Sequence, residues 1–112
     1  MAEAISKGKI EHVLKDHTYA RIKNTINKMM EKGLSEPAEK LLNKKSFFNP
    51  SWSEQKVIDA TNKAYNKVLS QGLTNGEHTV EVFGEKITVY LENGVSHSAY
   101  GGFKLTLSDF GF

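Results

Sequence analysis

The spacing of apolar residues changes once along this chain, and that change limits the folds available to it. Before about residue 75, apolar side chains recur every three or four residues, which is the period of an amphipathic helix. After that point they alternate with polar side chains, which is the period of a strand with one buried face. We therefore predict an α+β fold in which N-terminal helices are followed by an antiparallel β-meander.

Residues 10–30 keep the helical period without interruption, and glycine at position 33 is well placed to end such a helix. Serine at 35 suits an N-cap because its hydroxyl can accept a hydrogen bond from a free amide at the helix start. A Ser-x-x-Glu pattern further along has the spacing of a capping box. The predicted helices are residues 10–30 before Gly33, residues 35–42 from Ser35, and a third from Ser51-x-x-Glu54 to Gln71-Gly72.

The last third is rich in β-branched and aromatic residues, which favour strands. Asn93-Gly94 is the strongest hairpin signal because both residue types tolerate a positive φ, and Gly84-Glu85 fits a second two-residue loop. Earlier, residues 46–48 form a short apolar run that predicts a brief strand entering the core. The strands predicted in the last third are residues 79–83, 86–91, 95–100 and 103–107.

Composition excludes several classes of protein. No apolar run approaches the roughly 20 residues of a membrane span. The N-terminal residues lack the apolar stretch of a signal peptide. The absence of cysteine excludes disulfides and thiol nucleophiles. With no linker or repeat to divide it, we expect residues 1–112 to form a single domain and to act as a monomer.

Charge is distributed unevenly along the chain, although its net value is only +2. Residues 1–45 carry ten Lys and Arg against six Asp and Glu, whereas residues 76–112 carry two against five. A basic half suits a polyanionic partner such as RNA. Solvated helix faces rich in lysine explain the same counts about as well.

The four histidines are His12, His17, His78 and His97, and none lies in a short metal-ligand pattern. Histidine can both take and give protons near neutral pH, and lysine can stabilise developing negative charge on phosphate. Two histidines and one lysine therefore suffice to cleave RNA without a metal or cofactor. Residues five apart on a helix are rotated by about 140°, so pairing His12 with His17 predicts a bend between them.

Three segments together resemble one family. Residues 11–16 (EHVLKD) resemble the first catalytic-histidine motif of the EndoU endoribonucleases, and residues 45–54 (KSFFNPSWSE) resemble the lysine-bearing segment of their bacterial toxin branch. Residues 84–100 resemble the closing hairpin with its Thr/Ser-x-Tyr ending. The order of the segments and the α-then-β arrangement agree across most of the chain.

The resemblance implies a metal-independent endoribonuclease that leaves a 2′,3′-cyclic phosphate, with tRNA a frequent target. It assigns His12 as the general acid and His17 as the general base. Lys45 would stabilise phosphate charge, and Ser98 and Tyr100 would position the nucleotide. The toxin branch further implies a secreted or surface-delivered effector that acts in the target-cell cytoplasm, as in contact-dependent growth inhibition, and is neutralised by a cognate immunity protein.

The sequence departs from the family at informative places. The two histidines are closer than is usual and lack a Gly-Gly before the second, so His97 competes with His17 as the base. Lys44 competes with Lys45, because a slip of one residue reverses which side chain faces the site. Gly101 stands where proline commonly follows the tyrosine.

The same residues also fit other interpretations. Residues 47, 48 and 52 (Phe, Phe and Trp) favour core packing over stacking on nucleobases. If Ser98 and Tyr100 face one side of a strand, His97 is expected to face the other. The chain could also be a non-catalytic RNA- or protein-binding α+β module. A third possibility is an RNase of the barnase, colicin and RelE-like group that uses other residues.

Overall fold

The computed structural model describes residues 4–112, so residues 1–3 of the predicted domain and of the N-terminal segment lie outside the described residues. Four helices precede a three-stranded antiparallel sheet, which confirms the α+β prediction. The strands follow chain order across the sheet, as in a meander. The elements are α1 (Lys7–His17), α2 (Tyr19–Glu31), α3 (Ser35–Lys44), α4 (Glu54–Ser70), β1 (Gly76–Val82), β2 (Glu85–Glu92), β3 (Val95–Tyr100) and a 3₁₀ helix (Leu107–Phe110).

The first predicted helix, residues 10–30, is two helices that are separated by one extended residue. Thr18 has φ −119° and ψ 146°, so α1 ends at His17 and α2 begins at Tyr19. The predicted bend between His12 and His17 is therefore wrong, because both lie on α1. The break lets the two helices bury their apolar faces in different clusters, which a single straight helix could not do.

Two apolar clusters form the core. The first lies between α1, α4 and the inner face of the sheet, and the second lies between α2, α3 and the 3₁₀ helix. Phe47 is fully buried in the second cluster and Phe48 is buried in the first, so the adjacent side chains join the two. Trp52 packs partly buried against the first cluster. The prediction that these three aromatics pack in the core is confirmed.

The helix ends show which local signals were decisive. Gly33 has φ 73° and ends α2 as predicted. Helix α4, the third of the predicted helices, is capped by Ser53, whose side chain accepts a hydrogen bond from the amide of Lys56. The predicted cap at Ser51 is wrong, because the Asn49 side chain accepts hydrogen bonds from both the amide and the hydroxyl of Ser51.

The two hairpins differ in how well their turns match the sequence signal. Asn93-Gly94 forms the predicted turn, with φ values of 50° and 79°. In the other hairpin, Val82 pairs with Glu85, so the loop is Phe83-Gly84 and not the predicted Gly84-Glu85. Phe83 takes a positive φ of 53°, which is unusual for a bulky residue. Its ring projects from the turn and contacts the Trp52 ring edge-on.

The predicted strand at residues 103–107 does not form. Phe103 makes one isolated antiparallel bridge to Phe47, which is also all that remains of the brief strand predicted at residues 46–48. Beyond the bridge, Leu105 is buried in the second cluster, and Thr106 and Asp109 form a capping box that opens the 3₁₀ helix. The chain therefore turns into the core after one bridging pair.

A junction of three segments connects α1, α3 and the end of the sheet. The amide of Phe48 donates to the carbonyl oxygen of His17 at 2.9 Å. Phe47 and Phe103 exchange two backbone hydrogen bonds of 2.7 and 3.0 Å. Gly101 is buried against the same segment, where a Cβ atom would lie 2.6 Å from the Phe47 carbonyl oxygen. The glycine noted in place of a proline is therefore required by the close approach of two backbones.

Within residues 4–112, no helix combines the length and apolar character needed to cross a membrane. This agrees with the absence of a long apolar run in the sequence.

The junction leads to a stability prediction. We expect Gly101→Ala to lower the free energy of unfolding by about 3 kcal/mol, the upper end of the overpacking range, because backbone atoms must shift to admit the new methyl group. Gly102→Ala is the matched control, since a Cβ there meets no atom within 4 Å. Urea denaturation followed by circular dichroism measures both. Equal stability of the two variants would contradict the proposed close approach.

Candidate active site

A cleft lies beside the junction, where the end of α1, the end of α3 and the ends of β1 and β3 meet. Three residues of the predicted catalytic set, His17, Lys45 and Tyr100, line it. The rival Lys44 lines it as well, together with Glu77 on β1. The junction brings these residues together, because backbone hydrogen bonds hold the end of α1 against residues 46–48, the crossing segment between α3 and α4.

His17 is fixed by the backbone of that crossing segment. Its Nδ1 lies 2.9 Å from the carbonyl oxygen of Ser46, which can only accept, so Nδ1 carries the hydrogen. In the neutral ring, Nε2 then holds the lone pair. Burial lowers the pKa of His17 below 6.5, and the nearby charge of Lys45 lowers it further, although the Ser46 carbonyl and Asp16 oppose these effects. The neutral form is thus favoured at pH 7, as a proton acceptor requires.

His12 lies next to His17 although the helix continues through both residues. The ring centroids are 6.2 Å apart and the ring planes meet at 82°. The Nδ1 of His12 lies 3.0 Å from a carboxylate oxygen of Asp16, one helical turn later, while its side chain is 51% exposed. Both imidazoles therefore have an acceptor oxygen about 3 Å from Nδ1, and neither Nε2 has a hydrogen-bond partner within the described residues.

Lys45 and Lys44 occupy different positions at the cleft. Lys45 follows α3 in an extended conformation, its side chain is only 21% exposed, and its Nζ lies 3.9 Å from the other carboxylate oxygen of Asp16. Lys44 is the last residue of α3 and is exposed. Because a half-enclosed cation acts on phosphate more strongly than a solvated one, the geometry favours Lys45 for the predicted role.

Tyr100 lies beside His17, with ring centroids 5.6 Å apart. Its hydroxyl donates to a carboxylate oxygen of Glu77 at 2.6 Å. Burial and the Glu77 carboxylate raise the pKa of Tyr100 to about 12, so the hydroxyl stays protonated at neutral pH and can donate. Ser98 lies two residues earlier, paired with Tyr90 in the sheet, and does not line the cleft.

His97 does not point to the opposite side of the sheet, as the strand period predicted. Tyr90 pairs with Ser98 and Leu91 pairs with Ser96, so His97 is the extra residue of a β-bulge. The ring therefore lies beside the exposed Tyr90, with centroids 6.2 Å apart. Lys9 donates to its Nδ1 at 2.8 Å and Glu92 lies 3.3 Å from its Nε2. With both nitrogens engaged and no place in the cleft, His97 is less suited than His17 to act as the base.

His78, the remaining histidine, lies on β1, where its Nε2 is 2.6 Å from the carbonyl oxygen of Asn75. Its ring is thus used locally to stabilise the start of the strand and takes no part in the cleft.

Two carboxylates at the site received no role from the sequence. Asp16 had a signal that could have found it, since it follows His12 by four residues on one helix face. Glu77 had none, because β1 and β3 are separated by β2 and only the sheet register brings its side chain to Tyr100.

Within the described part of the chain, no group of three or more His, Asp or Glu side chains is arranged to hold a metal ion. A larger depression lies between α4 and the first hairpin, but it contains none of the predicted catalytic residues and is mainly apolar. Of the predicted catalytic residues, His17, Lys45 and Tyr100 line the smaller cleft, whereas His12 and Ser98 do not.

The chain has no match among protein-family models, among curated proteins or among solved structures.

The cleft generates a prediction about the charge beside His17. Lys45→Met should raise the pKa of His17, because it removes a positive charge that disfavours the imidazolium form. Lys44→Met, the matched control one residue away, should leave the pKa nearer its wild-type value. NMR titration of the His17 ring protons measures both. A fall in the pKa after Lys45→Met would contradict the assigned electrostatics.

Proposed function

We propose that this chain is a metal-independent endoribonuclease of the EndoU-like type. The observation that carries the proposal is the pair His12 and His17, whose rings lie 6.2 Å apart with an acceptor on each Nδ1 and with both Nε2 atoms unpartnered within the described residues. Lys45 lies close by, 3.9 Å from the same carboxylate that contacts His12. Two proton-transfer groups and one cation are the minimum set for RNA transphosphorylation.

In the proposed reaction, Nε2 of neutral His17 removes the proton from a ribose 2′-hydroxyl. The 2′-oxygen then bonds to the adjacent phosphorus while the bond from phosphorus to the 5′-oxygen breaks. Protonated His12 gives its Nε2 proton to that leaving oxygen, so the products are a 2′,3′-cyclic phosphate and a free 5′-hydroxyl. Lys45 stabilises the negative charge on the non-bridging oxygens in the transition state.

The different environments of the two histidines support this division of roles. His17 is the less exposed ring and its pKa is lowered, so it is neutral at pH 7 and suited to take a proton. His12 is half exposed, and its Nδ1 lies 3.0 Å from the Asp16 carboxylate, which leaves Nε2 as the nitrogen that can meet the leaving oxygen. The rings meet nearly edge to face, so they can approach a phosphodiester from different directions, as in-line displacement requires.

The remaining features of the proposal follow the resemblance. Tyr100 contacts the His17 ring and offers a hydroxyl donor for nucleotide positioning, whereas Ser98 lies further along the same strand. The excess of basic residues in 1–45 supports contacts to RNA phosphates, which position RNA without reading its sequence. We extend the proposal to tRNA as substrate, to delivery as an effector into a target-cell cytoplasm, and to a cognate immunity protein as partner.

Cleavage of tRNA in excess EDTA tests the proposal. We expect the wild-type protein to cleave and to leave cyclic phosphate ends, and we expect His12→Ala and His17→Ala each to reduce the rate by about two orders of magnitude. His97→Ala is the matched histidine control and should retain activity. Binding of RNA without cleavage would favour the non-catalytic module, and an undiminished rate for His12→Ala would favour an RNase that uses other residues.

The pH dependence provides a second test. A general base works only when it is unprotonated, so kcat/KM should fall as pH drops through the pKa of His17. Because burial and Lys45 lower that pKa, the acid limb should lie below pH 6.5, the ordinary value for histidine. A rate profile measured on a dinucleotide substrate would show this limb. A limb centred above pH 6.5 would contradict the role of His17 as base.

A further inference from the structure

Asp16 lies one helical turn after His12 and directly before His17. One carboxylate oxygen is 3.0 Å from His12 Nδ1, and the other is 3.9 Å from Lys45 Nζ. The Asp16 side chain is 27% exposed, which is less than that of His12. It does not line the cleft itself. A single carboxylate thus contacts two of the three groups that the proposed reaction uses, from a position behind them.

The contact with His12 has a defined chemical consequence. A carboxylate oxygen can only accept, so a contact of 3.0 Å is favourable when the Nδ1 of His12 carries a hydrogen and unfavourable when it carries a lone pair. The exchangeable position is then Nε2, which is the atom that must deliver a proton to the leaving oxygen. Without an acceptor at Nδ1, neutral His12 would populate both tautomers and its ring would rotate freely at a half-exposed site.

The contact with Lys45 acts on the second group. At 3.9 Å between partly exposed side chains, this ion pair is weak as a source of stability. It nevertheless restrains the long lysine side chain on the cleft side of α1. Asp16 also raises the pKa of His17, which partly offsets the effect of Lys45, so the carboxylate acts electrostatically on the third group as well.

We propose that Asp16 is a positioning residue that holds His12 in its Nδ1–H tautomer and restrains Lys45 beside it. This inference rests on the proposed nuclease function for its consequence on rate. Its structural part, the tautomer of His12, does not depend on activity. An ordinary surface pair at i and i+4 on a helix would contribute to helix stability and would leave the rate unchanged.

The first experiment measures the tautomer by nitrogen NMR on ¹⁵N-labelled protein at about pH 8.5, where histidine is ordinarily neutral. We expect the wild type to show His12 with hydrogen on Nδ1. Asp16→Ala should shift it towards a mixture with the Nε2–H form. Glu11→Gln is the matched control, because Glu11 is the neighbouring carboxylate on α1 but pairs with Arg21 at 3.3 Å. An unchanged tautomer in Asp16→Ala would overturn the proposal.

The second experiment compares kcat and KM for RNA cleavage. Asp16→Ala should lower kcat about ten- to a hundredfold, the range seen when an outer partner of a functional histidine is removed, with a smaller change in KM. Asp16→Asn keeps an acceptor oxygen for Nδ1 without the charge, so part of the lost rate should return. Circular dichroism identifies unfolded variants. If Asp16→Ala does not fold, the kcat of Asp16→Asn is compared with that of Glu11→Gln, and equal values would overturn the positioning role.

The two experiments separate the two proposals. If the wild type does not cleave RNA, the nuclease proposal fails while the tautomer shift still tests the role of Asp16. If the wild type cleaves and Asp16→Ala keeps full kcat, the nuclease proposal stands and the positioning role of Asp16 is overturned.

Discussion

The close approach of two backbones at Gly101 is the constraint on which the candidate site depends. The segment at residues 46–48 is held on one side by the end of α1 and on the other by Phe103. Only a residue without a side chain fits at 101, since a Cβ would lie 2.6 Å from the Phe47 carbonyl oxygen. This crossing places the carbonyl oxygen of Ser46 within hydrogen-bonding distance of His17, and it brings Lys45 to the cleft that Tyr100 also lines. The residues that join the two apolar clusters are the same ones that assemble the polar site.

The two histidines of the site, His12 and His17, have different surroundings. His17 is partly buried and hydrogen-bonded to a backbone carbonyl oxygen, so its neutral form is favoured and its Nε2 keeps a lone pair. His12 is half exposed, and its Nδ1 lies 3.0 Å from the carboxylate of Asp16. The two imidazoles therefore differ in exposure and in the acceptor near Nδ1, and the proposed division into base and acid rests on that difference. Glu77 and Tyr100 form a third hydrogen-bonded pair at the edge of the cleft.

The sequence predicted the order and type of most elements because local periodicity is strong in them. Strand β3 matches its predicted bounds, and Asn93-Gly94 forms the expected turn because few other residue pairs tolerate two positive φ values. The errors fall where tertiary contacts prevail over local signals. Phe83 takes a positive φ that its residue type disfavours. Ser53 caps α4 in place of Ser51, because Ser51 is hydrogen-bonded to the Asn49 side chain. Thr18 adopts an extended conformation that interrupts the predicted continuous helix.

The sequence by itself determined the α+β order, the core packing of residues 47, 48 and 52, and the identity of His12, His17, Lys45 and Tyr100 as candidates, because periodicity and local motifs are properties of neighbouring residues. Only the tertiary structure decided which of the candidates meet. It brought His17, Lys45 and Tyr100 into one cleft, placed His97 on a bulge with both ring nitrogens engaged, and added Glu77 from a strand that is not adjacent to β3. These outcomes depend on sheet register and on one backbone crossing, and neither is encoded in a short stretch of chain.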